Sequence, residues 1–566
     1  MDYNILYETD YDTVVARYED KRKNNKSYQS EKELENEFIH NLTNLGYEYI
    51  NIKNEKELTA NLKIQLEKLN DYKFEQDEWE IFLKKEIQKE GILEKAKIIH
   101  NDDCITNTIN SKGVIKNINL IDKNNIHNNK LQVINQYKEY DGKYKSIYDV
   151  TVLINGLPFI HIELKRRGVA LQTAFSQINR YQRDSFWAGS SLFEFIQIFV
   201  ISNGTHTKYY SNTTRYNHVK RNAKKTNNSF EFTIFWADAE NRRIADLVNF
   251  TNYFFARHTI LNIIIRYCVL TEDSNLLIMR PYQIAACERI LNKIKYAENK
   301  NIYGGIDAGG YIWHTTGSGK TLTSFKTSLL ASKTDYIDKV FFVVDRKDLD
   351  YQTIKEYEKY QKGCVSSNKS TRILQQQIEG DSKIIVTTIQ KLSTFIKKNK
   401  FHNIYNKKVV LIFDECHRSQ FGEMHTNIIK YFKKYSIFGF TGTPIFKENA
   451  SSINKIQGKT TPQVFGEKLH TYTIVDAIHD ETVLPFKIEY HDTFKNKDNI
   501  DDKKVSGINK EEVFINDKRI ELIVKYILEN FDIKTKRNSS YSIDGKRVNG
   551  FNSILAVSSI PAAVKY

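Results

Sequence analysis

Three short strings set acidic, basic and glycine residues at spacings that do chemistry. His314-Thr315-Thr316-Gly317-Ser318-Gly319-Lys320-Thr321 follows the apolar Tyr311-Ile312-Trp313 and precedes a helical stretch from Leu322 to Ala331. Strand, glycine-rich loop and helix, in that order, make a phosphate cradle: the glycines let backbone N–H groups near the phosphates, and the helix N-terminus adds positive potential. Thr316, Gly317, Ser318 and Gly319 form the loop, Lys320 is set to contact the β- and γ-phosphates of ATP, and the Thr321 hydroxyl to ligate Mg2+. His314 stands where the usual pattern has its first glycine. Downstream, the apolar run Val409 to Phe413 ends in Asp414-Glu415-Cys416-His417. At the carboxyl end of a parallel strand, Asp414 can hold Mg2+ through water and Glu415 can orient an attacking water. The third string is split between Tyr148-Asp149-Val150 and Ile162-Glu163-Leu164-Lys165. Asp149 and Glu163 are two carboxylates able to bind Mg2+, and Lys165 can position or deprotonate a water.

These groups need particular elements behind them. Glu163 and Lys165 are two apart and share one face of a strand, with Ile160, Ile162 and Leu164 as the opposite, apolar face. Asn155-Gly156 marks a hairpin turn between that strand and the one bearing Asp149. A two-residue loop pairs Ile154 with Leu157, hence Asp149 with Ile162, and points Asp149 away from Glu163. The site therefore demands an odd-length loop or a one-residue bulge between Asp149 and Glu163. Gln177 and Tyr181 lie four apart on a following helix and share a face. Residues 30 to 95 have helical periodicity, with Leu34, Phe38, Leu42 and Leu45 in register and Ser30 as cap. Asn212 to Asn228 reads as a basic loop, in which Lys220, Arg221, Lys224 and Lys225, near Tyr209, Tyr210 and Tyr216, are candidates to line a DNA path. Helical character returns from Asn241 to about Leu270. Beyond Leu276, apolar runs at Val340–Val344, Lys383–Thr387, Val409–Phe413 and Ser436–Phe440 alternate with helical segments, the rhythm of a parallel α/β sheet. One more strand-like run, Ser553 to Ser558, precedes the last residues.

The phosphate loop and the acidic pair resemble those of superfamily 2 helicase-type motors. Arg280-Pro281-Tyr282-Gln283 is similar to the adenine-reading segment of that family, which makes Gln283 a nucleotide contact. Asp345-Arg346-Lys347-Asp348-Leu349 and Thr387-Thr388-Ile389-Gln390 resemble segments that touch the DNA backbone, and Phe440-Thr441-Gly442-Thr443-Pro444 the motif linking ATP state to DNA grip. Asp149, Glu163 and Lys165 resemble the catalytic set of PD-(D/E)xK nucleases. Gln177 and Tyr181 resemble the helix after the catalytic lysine in RecB-like members. Glu35 resembles their first-helix glutamate, with Glu31 an equal candidate. A RecB-like nuclease followed by such a motor is the layout of the motor and cleavage subunit of type I restriction enzymes. Ser202-Asn203-Gly204-Thr205, Trp236-Ala237-Asp238, Phe465-Gly466 and Tyr472 to Ile478 fit the same family. The resemblance implies an α/β chain of three parts: a nuclease domain over 1–255, a first RecA-like lobe over 256–455, and a linker with an incomplete second lobe over 456–566. It implies ATP and Mg2+ as cofactors, double-stranded DNA as substrate, and methyltransferase and specificity subunits as partners. The second lobe's arginine finger has no counterpart here, so slow ATP hydrolysis without DNA stimulation is expected of this chain alone. The competing readings are a stand-alone superfamily 2 helicase with a degenerate nuclease-like domain, and a non-catalytic DNA-binding remnant.

The whole chain agrees with these readings. Its 566 residues exceed what one core organises, and 84 Lys and Arg against 69 Asp and Glu give a net charge of +15, suited to a polyanion. Hydrophobic residues at 40% and charged residues at 27% are ordinary for a globular chain. Cys104, Cys268, Cys287, Cys364 and Cys416 are scattered without a CxxC pair, which argues against a zinc site or a disulfide frame. The most apolar stretch, near Leu261 to Leu270, is interrupted by Arg266. No signal peptide or membrane span is expected, and the expected location is cytoplasmic.

Overall fold

Ser30 opens the first helix, α1 (Glu31–Asn44): its hydroxyl accepts from the Glu33 N–H at 3.3 Å while the Glu33 carboxylate accepts from the Ser30 N–H at 2.8 Å. This capping box satisfies two donors that a helix start leaves open. Leu34, Phe38 and Leu42 then turn one apolar face inward. The structure is a computed structural model, and it describes residues 12–15, 17, 29–89, 91–100, 105–109, 113–139, 145–186, 192–213, 232–273, 275–344, 347–360, 371–419, 423–447, 460–491, 514–543 and 546–566. The described residues up to Leu484 form one compact unit, and those from Pro485 a second.

In the first unit, α1 and α2 (Glu55–Asn70) flank a six-stranded sheet. Its strands are β1 (Glu48–Tyr49), β2 (Leu131–Glu139), β3 (Ser146–Ile154), β4 (Leu157–Leu164), β5 (Ile198–Ser202) and β6 (Thr207–Ser211), ordered as they occur in the chain. β2, β3 and β4 run antiparallel, β4 and β5 parallel. Between β3 and β4, Asn155 at φ 50° and Gly156 at φ 85° make the tight turn that the Asn-Gly pair predicts. Asn155 is buried and its amide is fully used: it donates to the Leu120 carbonyl and to Asn129 Oδ1 and accepts from the Lys130 N–H. Helix α3 (Leu171–Asp184) crosses beside β4 and β5.

The second sheet belongs to the same unit. After α4 (Pro281–Lys300) come β7 (Gly310–His314), α5 (Lys320–Ser332), β8 (Lys339–Val344), β9 (Ile384–Thr388), β10 (Lys408–Phe413), β11 (Lys434–Thr441), β12 (Lys468–Tyr472) and α6 (Ile474–His479). The six strands are all parallel, in the order β9-β8-β10-β11-β7-β12. Their near-continuous Val, Ile and Phe content suits strands covered on both faces.

Two positions expected as domain boundaries lie within continuous packing. Residue 255 falls inside one continuous core: Phe254 and Phe255 are buried, the Phe255 ring packs edge-on to Phe38 and Tyr47, and the same hydrophobic cluster runs on to Phe342 and Phe440. Residue 455 falls before β12, which the lobe's sheet takes in as an edge strand beside β7. The tail of the helical stretch expected over 241–270 is a strand, Cys268–Leu270, paired with Leu276–Ile278. The second unit holds α7 (Asp517–Lys534) and a hairpin of β13 (Ser540–Ile543) and β14 (Lys546–Asn549). The run Ser553–Ser558, expected as a strand, is not one. A strand exists only where a neighbour takes up its backbone hydrogen bonds, and among the described residues none pairs with it. No helix among the described residues is long and apolar enough to cross a membrane.

Candidate active sites

The hairpin that carries Asp149 and Glu163 is bulged. Ile154 pairs with Leu157 and Leu153 with Pro158, but Val152 pairs with Ile160, which leaves Phe159 as an extra residue on β4. Thr151 then faces His161 and Val150 faces Ile162, so Asp149 stands across from Glu163. Without the extra residue the two carboxyls would point to opposite faces. The cause is in the strand itself: Pro158 has no N–H to give to the ladder, and a proline inside a central strand is accommodated at a bulge.

Around this point the polar groups converge. Asp149 Oδ2 accepts from the Leu164 N–H at 3.0 Å. The Lys165 ammonium donates to Glu163 Oε1 at 2.8 Å, to Glu31 Oε1 at 3.2 Å and to the Leu164 carbonyl at 2.9 Å. Gln177 Nε2 donates to the Tyr181 hydroxyl, which donates in turn to the Ile147 carbonyl at 2.7 Å, two residues before Asp149. His161 lies beneath Glu163, with Nε2 3.6 Å from Glu163 Oε2. Burial and the neighbouring Glu163 charge push the Asp149 carboxyl up to about 8. Burial pushes Glu163 up to about 7, against the pull of Lys165. Burial works against the Lys165 charge, yet Glu163, Asp149 and Glu31 together hold it above the ordinary lysine value.

A divalent cation fits this set. Glu163 Oε2 is buried with no hydrogen-bond partner, and two carboxyls that burial drives toward neutrality would both ionise beside a cation. Among the described residues no three or more His, Cys, Asp and Glu side chains are grouped to hold a metal. Mg2+ takes one or two carboxylates and fills its octahedron with water and phosphate oxygens, so two suffice for it.

Of the two first-helix glutamates, Glu31 reaches Lys165, whereas the described hydrogen bonds of Glu35 go elsewhere. Glu35 accepts from Asn135 Nδ2 at 2.6 Å and from Gln136 Nε2 at 2.7 Å. Gln136 sits at φ 51°, between the pairs Asn135–Val150 and Tyr137–Tyr148, and so across from Asp149. Glu35 therefore secures a kink next to the site and does not join Lys165.

The second site is built on β7 and β10. Gly317 and Gly319 have φ of 82° and 79°, and α5 begins at Lys320, so the loop's N–H groups and the helix N-terminus open together. Ser318 steadies the loop through the Thr315 carbonyl at 2.6 Å. Tyr282 and Gln283 hold it from behind, donating to the Ser318 carbonyl at 2.7 and 3.0 Å. A side chain on Gly319 would collide with Gln283 Nε2 at 2.5 Å. Gln283 is thus committed to the phosphate loop itself.

Asp414 and Glu415 follow β10, and Lys320 Nζ lies 3.4 Å from Glu415 Oε1. Glu415 has φ 42°, a conformation that costs a non-glycine residue on the order of 1–3 kcal/mol and tends to persist at functional sites. Burial first, then the charge of Glu415, raises the Asp414 carboxyl to about 6. His417 Nδ1 is 2.9 Å from Thr441 Oγ1, and that oxygen also accepts from the Thr443 N–H at 3.1 Å, which ties the acidic loop to the Thr-Gly-Thr-Pro segment. Thr316 is exposed and Thr321 half-buried at the helix start; Thr321 and Asp414 are oxygen donors that could hold a nucleotide-bound Mg2+.

His314, in place of a first glycine, is buried and hydrogen-bonds to His470 Nδ1 at 2.9 Å; His470 Nε2 donates to the Ala239 carbonyl at 2.9 Å. That carbonyl lies beyond the first sheet, so the β7 end of the phosphate loop is pinned to the N-terminal region. Sequence reasoning passed over His161, His470 and Glu467, which pairs with Lys293 at 2.5 Å. For His161 the signal was present: residues 161, 163 and 165 share one strand face. The basic residues Lys220, Arg221, Lys224 and Lys225, with Tyr216, lie outside the described residues, as do Asp345 and Arg346.

Comparison with known proteins gives a consistent set of similarities. The family described as type I restriction enzyme R protein N terminus matches residues 28–218, and SWI2/SNF2 ATPase matches residues 282–519. The SsaAORF53P type I restriction enzyme endonuclease subunit of Staphylococcus saprophyticus is 42% identical over 550 residues, 95% of this chain and 54% of that protein. The EcoprrI endonuclease subunit of Escherichia coli is 47% identical over 285 residues, 50% of this chain and 88% of that sequence. A Mycoplasma pneumoniae sequence, described as the C-terminal part of the putative type I restriction endonuclease MpnIIP, is 52% identical over 205 residues, 35% of this chain and 99% of that sequence. The chain spans about half the length of relatives such as the staphylococcal one.

Proposed function

The chain belongs to the endonuclease subunits of type I restriction enzymes, and on that footing we propose that it couples ATP-driven translocation on double-stranded DNA to Mg2+-dependent cleavage of that DNA. The observation behind the cleavage half is the one-residue bulge at Phe159, which sets Asp149 across from Glu163, whose carboxylate Lys165 holds. All three groups are present and converge, which supports a working nuclease over a degenerate one.

Asp149 and Glu163 would hold Mg2+, which when bound supplies positive charge at the scissile phosphate. Lys165 stays protonated between its three carboxylates, so it acts as a fixed positive charge that orients the phosphate and water, and not as the base. Glu31 balances Lys165 from α1. Tyr181 and Gln177 brace the β3 backbone beside Asp149. At the other site Thr316 to Gly319 would cradle the phosphates of ATP, and Thr321 and Asp414 would hold its Mg2+. Lys320 would leave Glu415 for the β- and γ-phosphates, freeing that carboxylate to orient water. The relatives are named as subunits, and we assign methyltransferase and specificity subunits as the partners of this chain. The cytoplasm, where buried free thiols such as Cys268, Cys287 and Cys416 remain reduced, is the location that accords with this role.

The test uses two substitutions in the assembled complex. Lys320→Ala should abolish ATP hydrolysis and translocation, because it removes the charge set against the β- and γ-phosphates. Asp149→Ala should stop DNA cleavage and leave ATP hydrolysis near normal. Unchanged ATP turnover in the first, or equal loss of both activities in the second, would overturn the corresponding assignment.

A further inference from the structure

His161 has no part in the catalytic set, yet it occupies the floor of the nuclease site. It is fully buried on β4, two residues before Glu163, and so on the same face. Four aromatic rings meet it edge-on and clamp its plane: Tyr148, Tyr181, Phe186 and Phe199, at centroid distances of 5.7, 6.1, 5.1 and 6.3 Å. An aromatic pocket of that kind is ordinarily filled by another apolar ring. Its two nitrogens have different surroundings. Nδ1 lies 3.3 Å from Thr151 Oγ1, on the facing strand. Nε2 is buried without a hydrogen-bond partner, and 3.6 Å away is Glu163 Oε2, also buried without one. The two orphan atoms face each other.

We infer that His161 is a positioning residue for Glu163: in the tautomer that carries the ring proton on Nε2, with Nδ1 turned to Thr151 Oγ1, that N–H is aimed at Glu163 Oε2 and sets the carboxylate's plane for a divalent cation. The inference rests on the nuclease reading given above. At 3.6 Å the pair is just beyond a hydrogen bond, and a small rotation of the carboxylate closes it. Each carboxylate oxygen has two lone pairs, so an N–H from Lys165 on Oε1 and one from His161 on Oε2 orient the group and leave a lone pair on each oxygen for the cation. His161 is not itself the ligand, since Mg2+ prefers oxygen donors.

The test is Mn2+ binding, followed by electron paramagnetic resonance, to the full 566-residue chain without nucleotide. Asp149→Ala should lose the site. His161→Phe keeps the ring and removes the donor, and it should weaken Mn2+ binding by about tenfold or more, the scale of outer partners of metal ligands. His161→Gln restores an N–H donor and should recover most of that loss. Thermal melting of each variant separates binding from folding. Wild-type Mn2+ affinity in Asp149→Ala would overturn the nuclease reading, and this inference with it. If Asp149→Ala loses Mn2+ while His161→Phe binds it normally, only the inference falls. Equal weakening by Phe and Gln also overturns it, because ring packing and not the donor would then matter. Should His161→Phe fail to fold, Thr151→Val decides: weakened Mn2+ binding supports the assigned proton position, and unchanged binding overturns it.

Discussion

Asp149 and Glu163 stand across from each other with little access to solvent, and the metal-free protein bears the cost of that arrangement. Both carboxyls have raised pKa values, about 8 and about 7, with burial the larger cause. An acid raised in the folded state keeps protons that the unfolded chain has already shed. Its contribution to stability is therefore lost as pH rises from about 4 to about 8. Asp149→Asn removes one of the two charges. Without metal the variant should melt at a higher temperature than the parent, by the equivalent of about 0.5–2 kcal/mol, and the gap should widen across that pH window. Mg2+ should raise the parent's melting temperature and leave the variant's unchanged. A pH-independent gap in thermal melts would mean that the carboxyls are not buried together. At this scale the sequence offered candidates wherever chemistry restricts residue type, as at Lys320, Asp414 and Glu163, and the fold sets Lys320 beside the acidic pair and Glu163 beside Lys165. The sequence was silent between Glu31 and Glu35, which are four apart on one helix face, so that only the approach of β2 and Lys165 distinguishes them.

The β3–β4 hairpin shows how an element carries a site. Asn155-Gly156 declares the turn, while the bulge was deduced from the demand that Asp149 meet Glu163. Pro158 was the missed local signal, since its lacking N–H disturbs a central strand. The turn also packs tightly on α2: a Cβ at Gly156 would sit 2.7 Å from Leu62 Cα. Gly156→Ala combines this backbone clash with a left-handed φ of 85°. It should cost about 2 kcal/mol or more in urea denaturation and reduce cleavage by misplacing Asp149. A loss under about 0.5 kcal/mol, the range of an ordinary surface change, would contradict the turn's seat on α2. The parallel strands β8, β10 and β11 were legible because double burial writes unbroken apolar runs. Ser553–Ser558 shows the limit of that signal, for an apolar run names no partner.

Across the whole molecule, the family resemblance implies divisions at residues 255 and 455, while one hydrophobic core continues past the first and the motor sheet takes a strand from beyond the second. The N-terminal sheet and the motor sheet share one core, and the region of Ala239 to Arg243 is bound to β12 and α6 through His470, Asn241 donating to the Thr471 carbonyl, and the Arg243–Asp480 ion pair. Periodicity reports local burial and is blind to which distant segments share it. A chain ended at residue 455 should therefore aggregate and fail to bind ATP, whereas one ended at residue 484 should be soluble and bind it. Gel filtration and a fluorescent nucleotide titration distinguish the two, and equal behaviour would mean that β12 is dispensable.

β12 also imposes an order in time. β7, which leads into the phosphate loop, lies between β11 and β12, and β12 is the last strand of that sheet to leave the ribosome. Until it arrives, one side of β7 is an open edge with unpaired N–H and C=O groups, free to pair with a neighbouring nascent chain. Gly310 sharpens the dependence, because its Cα faces Leu469 so closely that a Cβ would lie 2.5 Å from that side chain, a fit that exists only once both strands are in place. The support of the phosphate loop is thus completed late in synthesis, after the β3–β4 hairpin can already have folded, and a pause in translation before residue 468 would leave that edge of β7 open.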